Sequence, residues 1–323
     1  MTTRPVVVVT RRIPAAVEKH AGEIFDVRLN PSDTPMTTAQ LIEAMQCADG
    51  LMPTVTDKIS AEVLGATGRR ARIIANYGVG YNNIDVGAAK KNNVVVTNTP
   101  DVLTDDTADL AMALLLMTAR RLGEGERELR AGTWTGWRPT YHLGTKVSGK
   151  TLGILGLGRI GRAVAKRAHD GFGMRVIYFD PPVPIGEAKA LGAEPRASIE
   201  DVLRQSDFVS LHAPATAETR HMINAETLAL MPSHAILINT ARGDVIDESA
   251  LAEALAAKRI AGAGLDVFEK EPTVTPALLA LDNVVVLPHL GSATTETRVA
   301  MGERALDNLV QFFAGKAPRD RVA

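Results

Sequence analysis

The stretch "TLGILGLGRIGRAVAKRAH", residues 151–169, decides the fold of the longer part of this chain. An apolar run predicts a strand, glycines follow at positions 156, 158 and 161, and a helical pattern ends the stretch. Glycines with this spacing between a strand and a helix are typical of a dinucleotide-binding turn. Gly156 permits the tight turn, Gly158 lets the backbone approach a pyrophosphate, and Gly161 allows the helix to pack closely on the strand.

Five more apolar runs follow this turn, each with turn residues and a helical pattern behind it: 175–180, 208–213, 235–240, 262–268 and 284–289. Alternation of strands and helices predicts a parallel sheet covered on both faces. Six strands make a complete doubly wound sheet, so we expect a Rossmann dinucleotide-binding domain.

The first hundred residues show the same alternation, with apolar runs at 6–10, 25–29, 50–54, 72–78 and 94–100. They predict a second α/β domain with a doubly wound parallel sheet, of flavodoxin-like type. Two long helical segments, 105–122 and 295–314, lie at the borders between the two series of strands. We interpret them as crossings between domains, so residues 1–101 plus 292–323 form a discontinuous substrate-binding domain and residues 102–291 an NAD-binding domain.

Composition excludes several classes of protein. The 323 residues carry a formal net charge of −1, and lysine and arginine occur in nothing longer than pairs. Nucleic-acid and membrane surfaces need a concentrated basic face, so neither partner is expected. The most apolar segment, 110–119, is shorter than the roughly 20 residues that a spanning helix needs. Cys47 is the only cysteine and no metal-binding spacing occurs, so we expect a cytoplasmic protein with no metal site.

Asp180 indicates which dinucleotide binds. It ends the strand "VIYFD", nineteen residues after Gly161, where an acid binds the ribose hydroxyls of the adenosine. A carboxylate there repels a 2′-phosphate, and Pro181-Pro182 provide no arginine to accept one. The sequence therefore favours NAD over NADP.

Three chemically complementary residues follow three strands of the second series. Arg242 follows the run 235–240, Glu271 follows 262–268, and His289 follows 284–288. Ligands of an open parallel sheet bind beyond the carboxyl ends of its strands, so we expect these side chains near the nicotinamide. Histidine supplies a proton near neutral pH, a carboxylate stabilises its imidazolium, and arginine binds a carboxylate substrate. The set predicts reduction of a 2-keto acid by hydride transfer.

The chain resembles the D-isomer-specific 2-hydroxyacid dehydrogenase family over essentially its whole length, through "NYGVGYNNID" (76–85), "GLGRIG" (156–161), "INTARGDVIDESAL" (238–251), "GLDVFEKEP" (264–272) and "LPHLGSAT" (287–294). The resemblance implies that Arg242 binds and activates the substrate, that Glu271 is the partner of His289, and that His289 is the acid/base. It implies that the backbone amides of Val79 and Gly80 hold the substrate carboxylate. It also implies further cofactor contacts at Arg159, Ile160, Ala213, Thr240, Ala241, Asp266 and Ser292.

The loop "RAGTWTGWRPT" (130–140) contains both tryptophans of the chain, and it helps to choose among the substrates of this family. It resembles the glyoxylate/hydroxypyruvate reductase branch of the family, which implies that Trp137, or its neighbour Trp134, reaches the active site of a second subunit in a homodimer. Glu271 stands where formate-oxidising relatives carry glutamine, which speaks against formate. Two alternatives stay open: another D-2-hydroxyacid dehydrogenase, acting on D-lactate, hydroxyphenylpyruvate or 3-phosphoglycerate, and an NAD-sensing binding protein like the corepressors that share this fold.

Overall fold

The computed structural model of the chain describes residues 4–181 and 184–323; Pro182, which the cofactor argument used, lies outside these ranges. The chain divides into two compact units, one running up to Leu103 and resuming over Ser292–Ala323, the other spanning Thr104–Gly291. The first border lies two residues beyond the one expected from the sequence. In each unit the described strands form one sheet, and all pairs of strands are parallel.

The first unit contains a five-stranded sheet in the order β2-β1-β3-β4-β5, which is the flavodoxin-like order expected from the sequence. Its strands are Val6–Val9 (β1), Asp26–Leu29 (β2), Gly50–Met52 (β3), Ile73–Ala75 (β4) and Val95–Thr97 (β5). Its helices are Ala15–Ile24, Thr38–Cys47, Ala61–Leu64, Val86–Lys91 and Thr295–Phe313. The central strands are short and fully buried, as expected for a sheet covered on both faces.

The second unit contains a seven-stranded sheet, one strand more than the six predicted. Its strands are Thr151–Leu155 (β6), Arg175–Phe179 (β7), Ala193–Pro195 (β8), Phe208–Leu211 (β9), Ile236–Asn239 (β10), Gly262–Leu265 (β11) and Val284–Val286 (β12). Their order, β12-β11-β10-β9-β6-β7-β8, is the Rossmann order with an added edge strand, β12. The strand that the sequence did not reveal, β8, has only three residues, and two of them are exposed.

Helices cover both faces of this second sheet. They are Thr104–Ala119, Leu122–Arg130, Arg159–Lys166 with a π-helical turn at Arg167–Gly171, Ile185–Lys189, Ile199–Gln205, Ala225–Leu228, Glu248–Ala256 and Pro276–Leu279. The helix Thr104–Ala119 packs against the sheet through Ala108, Ala111, Leu114 and Leu115. Gly264 on β11 makes this approach possible, because a Cβ there would lie 2.9 Å from Thr118 Oγ1.

The prediction of one helix over 105–122 was wrong at its end. The helix stops at Ala119, Arg121 adopts a left-handed conformation with φ 53°, and a second helix runs over Leu122–Arg130. The cause is a crossing segment: the carbonyl of Ala119 accepts the amide of Thr145 at 2.7 Å, the bond that a continuing helix would use. No helix of the described residues is long and apolar enough to cross a membrane.

Candidate active site

The glycine-rich turn after β6 is built by close backbone contacts. Gly156 has φ 93°, and a Cβ on it would lie 2.5 Å from the amide nitrogen of Ala213. A Cβ on Gly161 would lie 2.2 Å from the carbonyl oxygen of Gly156. Gly158, by contrast, faces open space and begins the helix Arg159–Lys166 without a side-chain cap. Two glycines therefore allow packing, and the third leaves room for a ligand at a helix N-terminus.

Asp180 lies directly after β7 and is fixed to this turn. Its Oδ2 accepts the amide of Leu157 at 2.7 Å. The carboxylate therefore lies beside the turn, as a ribose-binding acid requires. Of the other residues that the family resemblance assigned to the cofactor, Arg159 is exposed, whereas Ile160, Ala213 and Ala241 are half-buried. Ser292 begins the second segment of the other unit, where its carbonyl accepts Arg298 Nε at 3.1 Å.

Thr240 provides an independent sign that a ligand binds at this edge. The residue follows β10 and is 7% exposed. Its Oγ1 is buried and has no hydrogen-bond partner in the described part of the chain. A buried hydroxyl without a partner is costly, so a polar group from outside the chain is the natural partner. With the open face at Gly158 and the carboxylate of Asp180, the residues present fit a nicotinamide dinucleotide.

Arg242 lies in the loop after β10, which Asn239 shapes from within the sheet. The fully buried side chain of Asn239 donates to the carbonyl of Arg242 at 2.8 Å and accepts the amide of Ala241 at 3.0 Å. Arg242 Nη1 donates to the carbonyl of Ala241 at 2.6 Å. Burial lowers the pKa of Arg242, while the charges of Glu271 and Asp244 oppose that shift. The guanidinium stays a cation at neutral pH, because the ordinary pKa of arginine lies far above neutral.

The loop after β11 carries Glu271 and packs directly on the Arg242 loop. A Cβ on Gly243 would lie 1.9 Å from the carbonyl carbon of Phe268, so only glycine fits at this crossing. Glu248, 5% exposed, accepts the amide of Glu269 at 2.6 Å and also binds the hydroxyl of Thr275. Glu248 was not among the predicted residues, and the motif "VIDESAL" gave no sign of its role. It anchors both ends of the segment that contains Glu271.

His289 and Glu271 form a direct pair, as the sequence predicted. His289 Nδ1 lies 2.8 Å from Glu271 Oε2, and Glu271 Oε1 accepts the amide of Phe268 at 3.0 Å. Burial raises the pKa of Glu271. The hydrogen bond and charge of His289, the amide of Phe268 and the charge of Arg242 together lower it by more, so the pKa of Glu271 lies below its usual range. Glu271 is therefore a carboxylate at neutral pH.

Asp266 holds the histidine loop in place. Its Oδ1 and Oδ2 accept the amides of Leu290 and Gly291 at 2.6 and 2.8 Å, and its carbonyl accepts the amide of His289 at 2.9 Å. His289 itself has φ 55°. The resemblance implied a cofactor contact at Asp266, which stays a prediction; in the structure both of its carboxylate oxygens accept amides of the histidine loop. Burial raises the pKa of Asp266, and the two amides offset only part of that shift.

Val79 and Gly80 lie in the other unit, in the loop that follows β4. Their amides donate to no acceptor in the described part of the chain, whereas the carbonyls of Gly78, Val79 and Gly80 all accept hydrogen bonds. Unpaired amides of this kind bind anions. Their role in holding the substrate remains a prediction.

The tryptophan loop exposes both of its aromatic rings. Trp137 is 81% exposed and Trp134 is 51% exposed. Three leucines of the same region, Leu122, Leu129 and Leu143, are exposed by 49% or more. Both rings of the loop are therefore largely uncovered by the rest of the chain. Within the described residues, no group of His, Cys, Asp and Glu side chains is arranged to hold a metal ion.

Comparison with known proteins identifies the family of this chain. Residues 112–291 match the family model "D-isomer specific 2-hydroxyacid dehydrogenase, NAD binding domain". The glyoxylate reductase of Thermococcus kodakarensis is 48% identical over 98% of this chain and 95% of its own length. Two solved structures are similar. A glyoxylate reductase from Paecilomyes thermophila has a TM-score of 0.88 and 32% sequence identity, with 100% of this chain and 99% of that chain covered. An NADPH-dependent glyoxylate/hydroxypyruvate reductase from Sinorhizobium meliloti, in complex with NADP and malonate, has a TM-score of 0.89 and 37% identity, with 99% of this chain and 97% of that chain covered. The chain therefore belongs to the D-isomer specific 2-hydroxyacid dehydrogenase family of nicotinamide-dependent oxidoreductases.

Proposed function

We propose that this enzyme reduces glyoxylate to glycolate and hydroxypyruvate to D-glycerate, with NADH as the reductant. The observation that carries the proposal is the 2.8 Å hydrogen bond between His289 and Glu271, at the same sheet edge as Arg242. These three residues follow adjacent strands, β12, β11 and β10. The substrates come from the names of the relatives, glyoxylate reductases at 45–48% identity over almost the whole chain.

His289 supplies the proton in this mechanism. Its Nδ1 is occupied by Glu271, and its Nε2 has no partner among the described residues, so Nε2 is the atom that faces a substrate. The carboxylate of Glu271 stabilises the imidazolium and fixes the orientation of the ring. When bound, the reduced nicotinamide supplies the hydride that adds to the carbonyl carbon. His289 Nε2 then gives its proton to the carbonyl oxygen, which becomes the hydroxyl of the product.

Arg242 binds and polarises the substrate. One of its five N–H groups is used by the carbonyl of Ala241, so the guanidinium keeps donors for a carboxylate and for the keto oxygen. Its positive charge stabilises the negative charge that develops on that oxygen during hydride addition. The amides of Val79 and Gly80 supply further donors to the substrate carboxylate.

Asp180 is the basis for proposing NADH. Its carboxylate is anchored to the amide of Leu157 and so cannot turn away from the ribose site without losing that bond. A 2′-phosphate would meet this negative charge at short range. The similar enzyme from Sinorhizobium meliloti is NADPH-dependent, so comparing the rates with NADH and with NADPH tests this part of the proposal.

We also propose a homodimer in which the tryptophan loop contacts the second subunit. Trp134, Trp137 and the exposed leucines Leu122, Leu129 and Leu143 put five apolar side chains on the surface within residues 122–143 of the second unit. Aromatic residues are enriched in protein interfaces. The helix Thr104–Ala119 is less suited, because most of its apolar residues are buried in the core of its own unit.

The test is the loss of NADH absorbance with purified enzyme and glyoxylate, hydroxypyruvate, pyruvate or phenylpyruvate, repeated with NADPH. We expect the two small polar acids to be reduced fastest, and NADH to be preferred. In the reverse direction, D-glycerate and not L-glycerate should reduce NAD. A preference for phenylpyruvate would point to another member of the family, and no turnover with any of the four acids would favour a binding protein.

A further inference from the structure

Two asparagines of the first unit control the loop Gly78–Gly80. Asn98 Nδ2 donates to the carbonyl of Val79 at 2.8 Å. Asn76 Nδ2 donates to the carbonyl of Gly80 at 2.9 Å and to that of Gly78 at 3.2 Å. Three consecutive carbonyls are thus held by two side chains, one from each of the segments that follow β4 and β5.

The orientation of the carbonyls fixes the orientation of the amides. In a planar trans peptide, the C=O of one residue points opposite to the N–H of the next. Asn98 holds the peptide between Val79 and Gly80, so it directs the amide of Gly80 away from itself. Asn76 and the amide of Thr99 hold the peptide between Gly78 and Val79, and so direct the amide of Val79. Both amides then point to the side opposite the asparagines.

Both asparagines are themselves fixed. Asn76 is fully buried, and its Oδ1 lies 3.2 Å from Asn83 Nδ2. Asn98 is 9% exposed, and its backbone is bound by Asp320 and Asn308 from the last segment of the unit. Gly78 lies so close to Val55 that a Cβ would be 2.7 Å from Val55 Cγ1. The peptide groups of the loop Gly78–Gly80 therefore have little freedom to flip.

We propose that Asn76 and Asn98 are positioning residues for the substrate carboxylate: they turn the carbonyls of Gly78–Gly80 inward so that the amides of Val79 and Gly80 are preorganised to bind it. The inference rests on the proposed function, and it adds two residues to which the family motif assigned no role. Without these donors, a peptide flip would place a carbonyl oxygen toward the anion and replace attraction by repulsion. An amide side chain is required, because a carboxylate at either position would repel the carbonyls.

The experiment compares Asn98→Ala and Asn98→Asp with the wild-type enzyme. Each variant is characterised by the KM for glyoxylate, by kcat, and by the Kd of NADH from fluorescence titration. We expect the KM of Asn98→Ala to rise about tenfold, as for the loss of a hydrogen bond to a charged group, and that of Asn98→Asp to rise at least as much. The Kd of NADH should stay unchanged, and kcat within about twofold, because the acid–base pair is untouched.

Asn92→Ala is the matched control. Asn92 Nδ2 also donates to a backbone carbonyl at 2.8 Å, that of Ala88, but at the end of the helix Val86–Lys91. This variant should lose similar stability and keep the KM for glyoxylate. An unchanged KM in folded Asn98→Ala, or an equal rise in Asn92→Ala, overturns the positioning role alone. If Asn98→Ala does not fold, Asn98→Asp, which has the same size, decides in its place. A wild-type enzyme that does not reduce glyoxylate overturns the proposed function, and this inference with it.

Discussion

Replacing Glu271 with glutamine tests the acid–base pair most directly, because the amide keeps the size of the carboxylate and removes its charge. The amide oxygen still accepts the amide of Phe268, and the NH2 group then faces Nδ1 of His289. An imidazolium donates from both ring nitrogens, so it has no acceptor at Nδ1 in this variant. We therefore expect the protonated histidine to be disfavoured and reduction to slow.

The size of the effect follows from one hydrogen bond to a charged group, which contributes about 1.5–3 kcal/mol. The side chains of His289 and Glu271 are 33% and 34% exposed, so solvent screening favours the lower value, about 1.5 kcal/mol. At about 1.36 kcal/mol for each factor of ten, kcat/KM for glyoxylate falls about tenfold at neutral pH. The alkaline limb of the kcat/KM profile moves toward acid for the same reason.

The acid limb of the wild-type kcat/KM profile depends on the ionisation of Glu271 itself. The pKa of Glu271 is lowered in the folded protein, so its carboxylate contributes fully above its ordinary pKa. That contribution is lost as the pH falls through the lowered value. The wild-type enzyme should therefore show a loss of activity below the usual titration range of glutamate, and Glu271→Gln should lack this step.

The assay is steady-state reduction of glyoxylate, followed by NADH absorbance between about pH 3 and about pH 9, so that the range below the ordinary pKa of glutamate is included. Glu269→Gln is the control, because Glu269 lies on the same loop and binds His221 Nε2 at 2.6 Å. It should lose a comparable ion pair and leave both limbs in place. The reasoning is refuted if Glu271→Gln keeps the wild-type alkaline limb, or if Glu269→Gln moves it equally.

Four further predictions each concern a single residue. His289→Ala should lower kcat about 10²- to 10⁴-fold, the usual contribution of a general acid, and leave the Kd of NADH unchanged. Arg242→Ala should lower kcat and also raise the KM for glyoxylate. Wild-type kinetics in either variant would contradict the role of the residue that was replaced. Asp180→Ala should raise the KM for NADH about tenfold and relax the preference over NADPH, and an unchanged NADH/NADPH ratio would count against the ribose contact. Gly243→Ala should destabilise the protein by about 3 kcal/mol, because its Cβ meets backbone atoms of Phe268, and a melting temperature equal to wild type would contradict the contact.

Much of the fold could be predicted because strand and helix patterns are local. The glycine turn at 156–161 was correctly placed by its flanking strand and helix, and the two parallel sheets were correctly predicted from the alternation of strands and helices. The edge strand Ala193–Pro195 escaped because three residues with little apolar character give no periodicity. The helix break at Arg121 escaped because its cause, the amide of Thr145, lies 26 residues from its acceptor, Ala119.

The same distinction applies to the site. His289, Glu271 and Arg242 could be proposed as site residues because each directly follows a strand, and the sheet brings strand ends together. Asn98 and Glu248 could not, because their partners are set by tertiary contacts between loops. The sequence alone does not distinguish a buried asparagine that orients a peptide group from an asparagine that caps a helix.

The crossing of Gly243 with Phe268 and Glu269 has a consequence for how such an enzyme changes during evolution. Backbone atoms occupy the space on both sides, so the loop of Arg242 and the loop of Glu271 cannot drift independently. Substitutions in 241–245 and in 268–272 should be strongly non-additive, since residues that share a contact couple energetically. New substrate preferences should therefore arise first from changes elsewhere, and laboratory libraries that vary these two loops should sample them jointly.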